Sequence, residues 1–148
     1  MTLIEIVIVI ALMAILIGVY FVVANPAGQL ASSRNSERKF HLQAIMNAVT
    51  QNIADQGNRQ FSCSSGSLST STKRMTSASG TGNYNIAPCL VPTYLALLPF
   101  DPSTSSAHYN SVSDYDTGYT ISLSASGTLV ILKAPAAELG KTVSVSGW

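Results

Sequence analysis

Charge is scarce in this chain. Acidic and basic side chains together make up 10% of its 148 residues, and eight Lys and Arg against seven Asp and Glu leave a net charge of +1. Such a balance sets up no strong field for nucleic acid or acidic partners. It leaves most of the hydrated surface to Ser, Thr and Asn. Histidine is limited to His41 and His108, which share no ligand spacing, so the usual motif-encoded metal centres are excluded. The many serines include no Gly-x-Ser-x-Gly elbow, the mark of one large class of hydrolases. The chain reads as a non-enzyme without a cofactor.

Charge is missing altogether from one segment. After Glu5, about 19 residues from Ile6 to Ala24 carry no charge, enough for a helix that crosses a bilayer core of about 30 Å. No basic residue precedes the run, and Asn25-Pro26 follows it in place of a small-residue cleavage site. A secretory signal peptide needs both features, so the segment reads as retained, with any leader already removed. Ile and Val dominate it, yet it is too long for a strand, and in lipid only helix satisfies every backbone group internally. Gly18 and Pro26 are its breakers, and a kink or loosened stretch is expected between them.

Beyond Pro26 the pattern becomes amphipathic. Leu42, Ile45, Met46, Val49 and Ile53 follow helical spacing, with Arg38, Lys39, Asn47, Gln51 and Asp55 assigned to other faces. Gly57-Asn58 supplies the stop. Residues 62–82 are rich in Ser, Thr and Gly and read as an irregular connector. Tyr94 to Leu98 is expected to form a helical turn that Pro99-Phe100-Asp101-Pro102 ends. From Gly118, alternating Tyr119, Ile121 and Leu123 predict a strand, a turn near Ala125 to Gly127, a return strand to Lys133, and a third strand at Thr142–Ser146. The expected fold is α+β, a long helix carrying a small antiparallel sheet. Four segments follow: 1–27 apolar helix, 28–56 its amphipathic half, 57–118 connector, and 119–148 sheet.

Cys63 and Cys89 lie past the apolar segment, where an oxidising compartment favours pairing. The alternative is two free buried thiols. Thr2-Leu3-Ile4-Glu5 fits a capping box.

With Thr2-Leu3-Ile4-Glu5 heading this apolar run, the chain resembles the type IV pilin superfamily, which includes the pilins of surface filaments and the pseudopilins of type II secretion. The match is specific over about 25 residues and coarse over the rest. Leu98-Pro99-Phe100-Asp101-Pro102 is similar to a turn common in that superfamily. The resemblance implies a pilin fold, and a basic leader cut by prepilin peptidase with N-methylation of Met1, which stands where Phe is commoner. It implies a membrane-anchored subunit lifted by a cytoplasmic ATPase and a platform protein into an extracellular helical homopolymer. The cysteine pair spans the connector rather than the C-terminal region where pilins often carry a disulfide, so receptor roles of that loop do not transfer.

Physical reasoning gives Glu5 a role of its own. Moving an apolar helix from lipid into a bundle gains little hydrophobic energy, so a polar contact must set the register. An unpaired carboxylate inside a bundle is very costly, and the α-amino group of a neighbouring Met1 is the obvious cation. Glu5 is thus expected to act as an assembly key, with capping as the plainer alternative. The function expected is a filament subunit serving adhesion, motility or DNA uptake. The alternatives are a pseudopilin and a minor tip or membrane-anchored binding module. Asp101, Asp114 and Asp116 are weak candidates for calcium, which needs six or more oxygens. Lys73-Arg74 is a thin footprint for nucleic acid.

Overall fold

The computed structural model describes residues 2–57 and 60–148. It has α+β architecture, with a long N-terminal helix in two parts packed against a six-stranded, mostly antiparallel sheet. Helix α1 spans Leu3–Ala24 and α2 spans Pro26–Gln56. Gly18 lies inside unbroken helix, and the break falls at Asn25 alone.

Asn25 adopts φ 38° and ψ 65° in the left-handed region, which Asn tolerates better than most residues. Pro26 follows in the first turn of α2, where a missing amide costs nothing. The Asn25 side chain accepts from the Gly28 backbone amide at 3.2 Å, and the Gln29 side-chain Nε2 donates to the Ala24 carbonyl at 2.6 Å. A β-carbon at Gly28 would stand 2.7 Å from Asn25 Nδ2, so any larger residue there would displace the Asn25 side chain from its capping position. At the far end Gly57 closes α2 with φ 65°, its amide donating to Ala54.

No residue of α1 is buried. In α2, Leu42, Ile45, Met46, Val49 and Ile53 are all buried, as their spacing requires. They meet Met75, Ile86, Leu90, Leu98, Tyr115, Tyr119, Ile121 and Leu132 in one core.

The sheet comprises β1 (Lys73–Thr76), β2 (Asn83–Tyr84), β3 (His108–Ser111), β4 (Asp114–Leu123), β5 (Val130–Ala134) and β6 (Val143–Gly147), in the order β2-β1-β4-β5-β6, with β3 also on β4. Only β1 and β2 run parallel. The β4–turn–β5 hairpin and β6 fall where alternation places them. Residues 62–82, expected to be irregular, contain β1, and the wider connector segment 57–118 also holds β2, β3 and the start of β4. Their cross-strand partners, such as Thr120 for Arg74 and Tyr115 for Tyr109, make strands of stretches too polar to signal themselves. The helical turn also lies upstream of its expected place. It is α3, Ala87–Leu90, started by Pro88 in its first turn and buried through Ala87 and Leu90, whereas Tyr94 to Leu98 is turn and bend.

Candidate functional site: the apolar helix and its anchorage

Thr2 caps α1. Its hydroxyl accepts from the Glu5 amide at 3.4 Å, and its own amide donates to Glu5 Oε2 at 3.0 Å. The capping box is therefore present, made through one carboxylate oxygen of Glu5. Met1, the expected partner and methylation site, lies outside the described residues. Beyond Glu5, side chains such as Ile10, Met13, Leu16 and Phe21 stand more than half exposed. A helix of this length and apolarity is able to cross a membrane. A monomer in water would present this whole cylinder to solvent, far more than the few hundred Å² of contiguous apolar surface usual for soluble proteins.

The anchorage of α2 in the body is polar as well as apolar. Arg38, expected on a wet face, is fully buried. Its Nε donates to Asp101 Oδ2 at 2.8 Å, and its Nη1 donates to Glu138 Oε2 at 2.9 Å and to Asn35 Oδ1 at 2.8 Å. Its Nη2 donates to Ser103 Oγ at 2.5 Å. Arg34 makes a fork with the same Glu138 at 2.6 and 2.7 Å. Burial alone would raise the Asp101 pKa, but the Arg38 hydrogen bond and the Ser103 and Thr104 amides outweigh it and hold the carboxyl below its usual range. Glu138, bonded first by Arg34 and then by Arg38, is drawn down to about 2. Arg38 is held above its usual value by the Asp101 hydrogen bond foremost.

Two further ties join α2 to the body. Asn52 is buried; its amide nitrogen donates to the Ser62 and Cys89 carbonyls, and its Oδ1 accepts from the Ser62 amide at 3.0 Å. His41 Nδ1 meets the Tyr119 hydroxyl at 2.9 Å. Burial raises the Tyr119 phenol well above its ordinary pKa, so it stays a neutral hydroxyl. Next to Asn52, Cys63 and Cys89 are bonded, with their Cα atoms 5.2 Å apart.

The three aspartates considered for calcium go to three different partners: Asp101 to Arg38, Asp116 to Arg74 at 2.7 Å, and Asp114 to His108 at 3.2 Å and Asn110 at 2.9 Å. Among the described residues no three acidic, histidine or cysteine groups come together as a metal site. Arg74 of the Lys73-Arg74 pair is likewise committed to Asp116. Sequence reasoning missed the buried Arg38 cluster, although Ala31, Asn35, Arg38 and Leu42 share the stripe spacing of the apolar positions.

No family model matches this chain, and neither a curated protein nor a solved structure matches it. The assignment of function therefore rests on its own residues and on the resemblance at its N-terminus.

Proposed function

We propose that the chain is a structural subunit of an extracellular type IV pilus filament, polymerising as a helical homopolymer through α1. The observation that carries this reading is a 22-residue apolar helix with no buried residue and a single carboxylate, Glu5, in its first turn. Burying each large aliphatic side chain stabilises by about 1.5–3 kcal/mol, so the segment needs either lipid or copies of itself. Lipid holds the monomer as a single-pass membrane subunit, and a bundle of α1 helices forms the filament core. Glu5 sets the stagger by pairing with the α-amino group of a neighbouring Met1, which N-methylation leaves charged. Asn25, Pro26 and the adjacent turns are where the helix loosens as the subunit leaves the bilayer, with Gly18 available inside α1. Prepilin peptidase, an assembly ATPase and a platform protein are the partners this assembly needs.

The test is Glu5→Ala in the producing cell, with electron microscopy and mass spectrometry of a sheared surface fraction. The wild-type chain is expected to dominate thin filaments and to begin at a methylated Met1. The variant is expected to insert in the membrane and to lose efficient polymerisation. Normal filament yield from the variant would overturn the role of Glu5. Wild-type protein confined to the envelope would favour a pseudopilin, and a trace amount in the filament fraction would favour a tip or binding module.

A further inference from the structure

The underside of the body, where the β5–β6 loop meets the first turns of α2, combines features that the core does not explain. Leu139 sits at φ 60°, a left-handed conformation that is strained for a branched apolar residue, and it is 53% exposed. The loop is not loose there. Glu138 exchanges backbone hydrogen bonds with the Asn35 side chain at 2.8 and 2.9 Å and binds Arg34 through its carboxylate. A rigid turn thus presents a strained leucine to solvent. Leu30, on the same end of α2, is 61% exposed.

Lysines flank these leucines. Among the described residues every arginine is paired with a carboxylate, whereas no lysine forms an ion pair. Lys141, two residues after Leu139, shares a groove with Lys39, Ser32, Ser36 and Ser144. Arg34 and Arg38 are occupied by Glu138 and Asp101. Glu37, against His41 at 3.8 Å, is the other carboxylate near this end. Glu37 offsets one of the two lysine charges, so the underside carries a small positive excess, supplied by Lys39 and Lys141.

We infer that this underside is a docking surface for an anionic bilayer, with Leu139 and Leu30 entering the headgroup region and Lys39 and Lys141 facing lipid phosphates while α1 spans the membrane. Leu30 stands about 9 Å and Asn35 about 16 Å beyond the end of α1 along the helix. The headgroup layer extends about 5–7 Å past the hydrocarbon, and a charged surface acts over a further ~8 Å. The usual helix tilt of about 20° lowers one side of the body toward the headgroups, and the break at Asn25 sets the direction in which it leans. Lys39 stands about 22 Å beyond α1, with its side chain tilted toward the N-terminus and the membrane, so it acts through the charged layer above the headgroups.

This inference rests on the anchoring half of the proposed function and is independent of polymerisation. Its test uses the full chain in vesicles of phosphatidylcholine, with or without roughly a third phosphatidylglycerol. Spin labels are placed at Leu139→Cys or, as a control at the opposite end, at Ser126→Cys. Flotation reports insertion, and accessibility to a lipid-soluble against a water-soluble relaxing agent reports depth.

The Leu139 label is expected to favour the lipid-soluble agent in anionic vesicles, while the Ser126 label stays aqueous in both. Lys39→Gln with Lys141→Gln is expected to weaken docking by up to about thirtyfold, since each lysine near an anionic surface contributes roughly fivefold. High salt should act the same way. An aqueous Leu139 label in inserted, anionic samples would overturn the inference. So would immobilisation of that label at high protein density alone, which would assign the surface to a second copy of the chain. Protection of the label by added oligonucleotide in neutral vesicles, without any lipid effect, would assign it to nucleic acid. Failure to float would remove the anchor, and this inference with it.

Discussion

Arg38 and Asp101 form a fully buried ion pair that joins α2 to the turn leading toward β3, with Nε and Oδ2 2.8 Å apart. Removing one partner strands a charge in the core, which costs about 3–5 kcal/mol, whereas replacing both by apolar groups of similar volume is often near neutral. Arg38→Ala is therefore expected to lower stability by about that amount in denaturant titrations of the detergent-solubilised chain. The double variant Arg38→Met with Asp101→Leu is expected to be markedly milder than either truncation. Additive losses in the double variant would show that the two side chains do not act as a pair.

Stability is expected to fall in acid. Asp101 and Glu138 both have carboxyls held below their ordinary range, so the stabilisation they contribute is present above the unfolded-state values of about 4. It is lost as pH falls through the folded-state values, which for Glu138 is about 2. The melting temperature should be flat near neutral pH and decline between about pH 4.5 and 2. Glu138→Gln should flatten part of that decline. An unchanged slope in this variant would mean that other carboxylates govern acid unfolding.

The disulfide closes a loop across a separation of 26 residues. On the chain-entropy estimate its loss costs about 3.5 kcal/mol. Cys63→Ser with Cys89→Ser should lower the denaturant midpoint accordingly while the secondary structure persists in circular dichroism. A loss below about 1 kcal/mol would show that Asn52 and the core hold this region without the bond.

Capping and assembly are separable at the N-terminus. Thr2→Ala removes the hydroxyl that accepts from Glu5 and keeps the carboxylate. It should cost the helix about 1 kcal/mol and leave filament yield close to normal. If Thr2→Ala abolished filaments as completely as Glu5→Ala, the carboxylate would matter through the cap.

The junction between the helices can be tested in the same way. Gly28→Ala places a β-carbon 2.7 Å from Asn25 Nδ2 and should displace the Asn25 cap at a cost of about 1 kcal/mol. Faster hydrogen exchange confined to the Gly28 amide is the expected readout. Unchanged protection would mean that the cap does not hold the first turn of α2.

Local patterns in the sequence carried much of this architecture. The spacing of Leu42, Ile45, Met46, Val49 and Ile53 predicts the buried face of α2, and the alternation of Tyr119 and Ile121 predicts the inward face of β4, because both signals repeat within one element. Arg38 was not legible in this way. Its spacing matched the buried stripe, but its charge argued for water, and the acid that reverses that argument lies 63 residues further on. The short strands β1, β2 and β3 failed for a related reason. Their residues are polar and few, and what orders them is pairing with β4 or with one another. At the candidate site, Glu5 and Thr2 were visible from their position before an uncharged run, whereas the leucine and lysines of the underside are brought together only by the loop fold.

The absence of any buried residue in α1 has a mechanical side. Every contact holding the body together lies beyond Ala24, so the body has the same internal bonds whether α1 is surrounded by lipid or by protein. A pull applied along α1 enters the body through one strand of backbone at Asn25. It is then shared along α2 by the Asn35, Arg38 and Asn52 ties, which are loaded side by side in shear rather than opened one after another. The chain is thus divided into a tether and a payload, joined at Asn25 and Pro26.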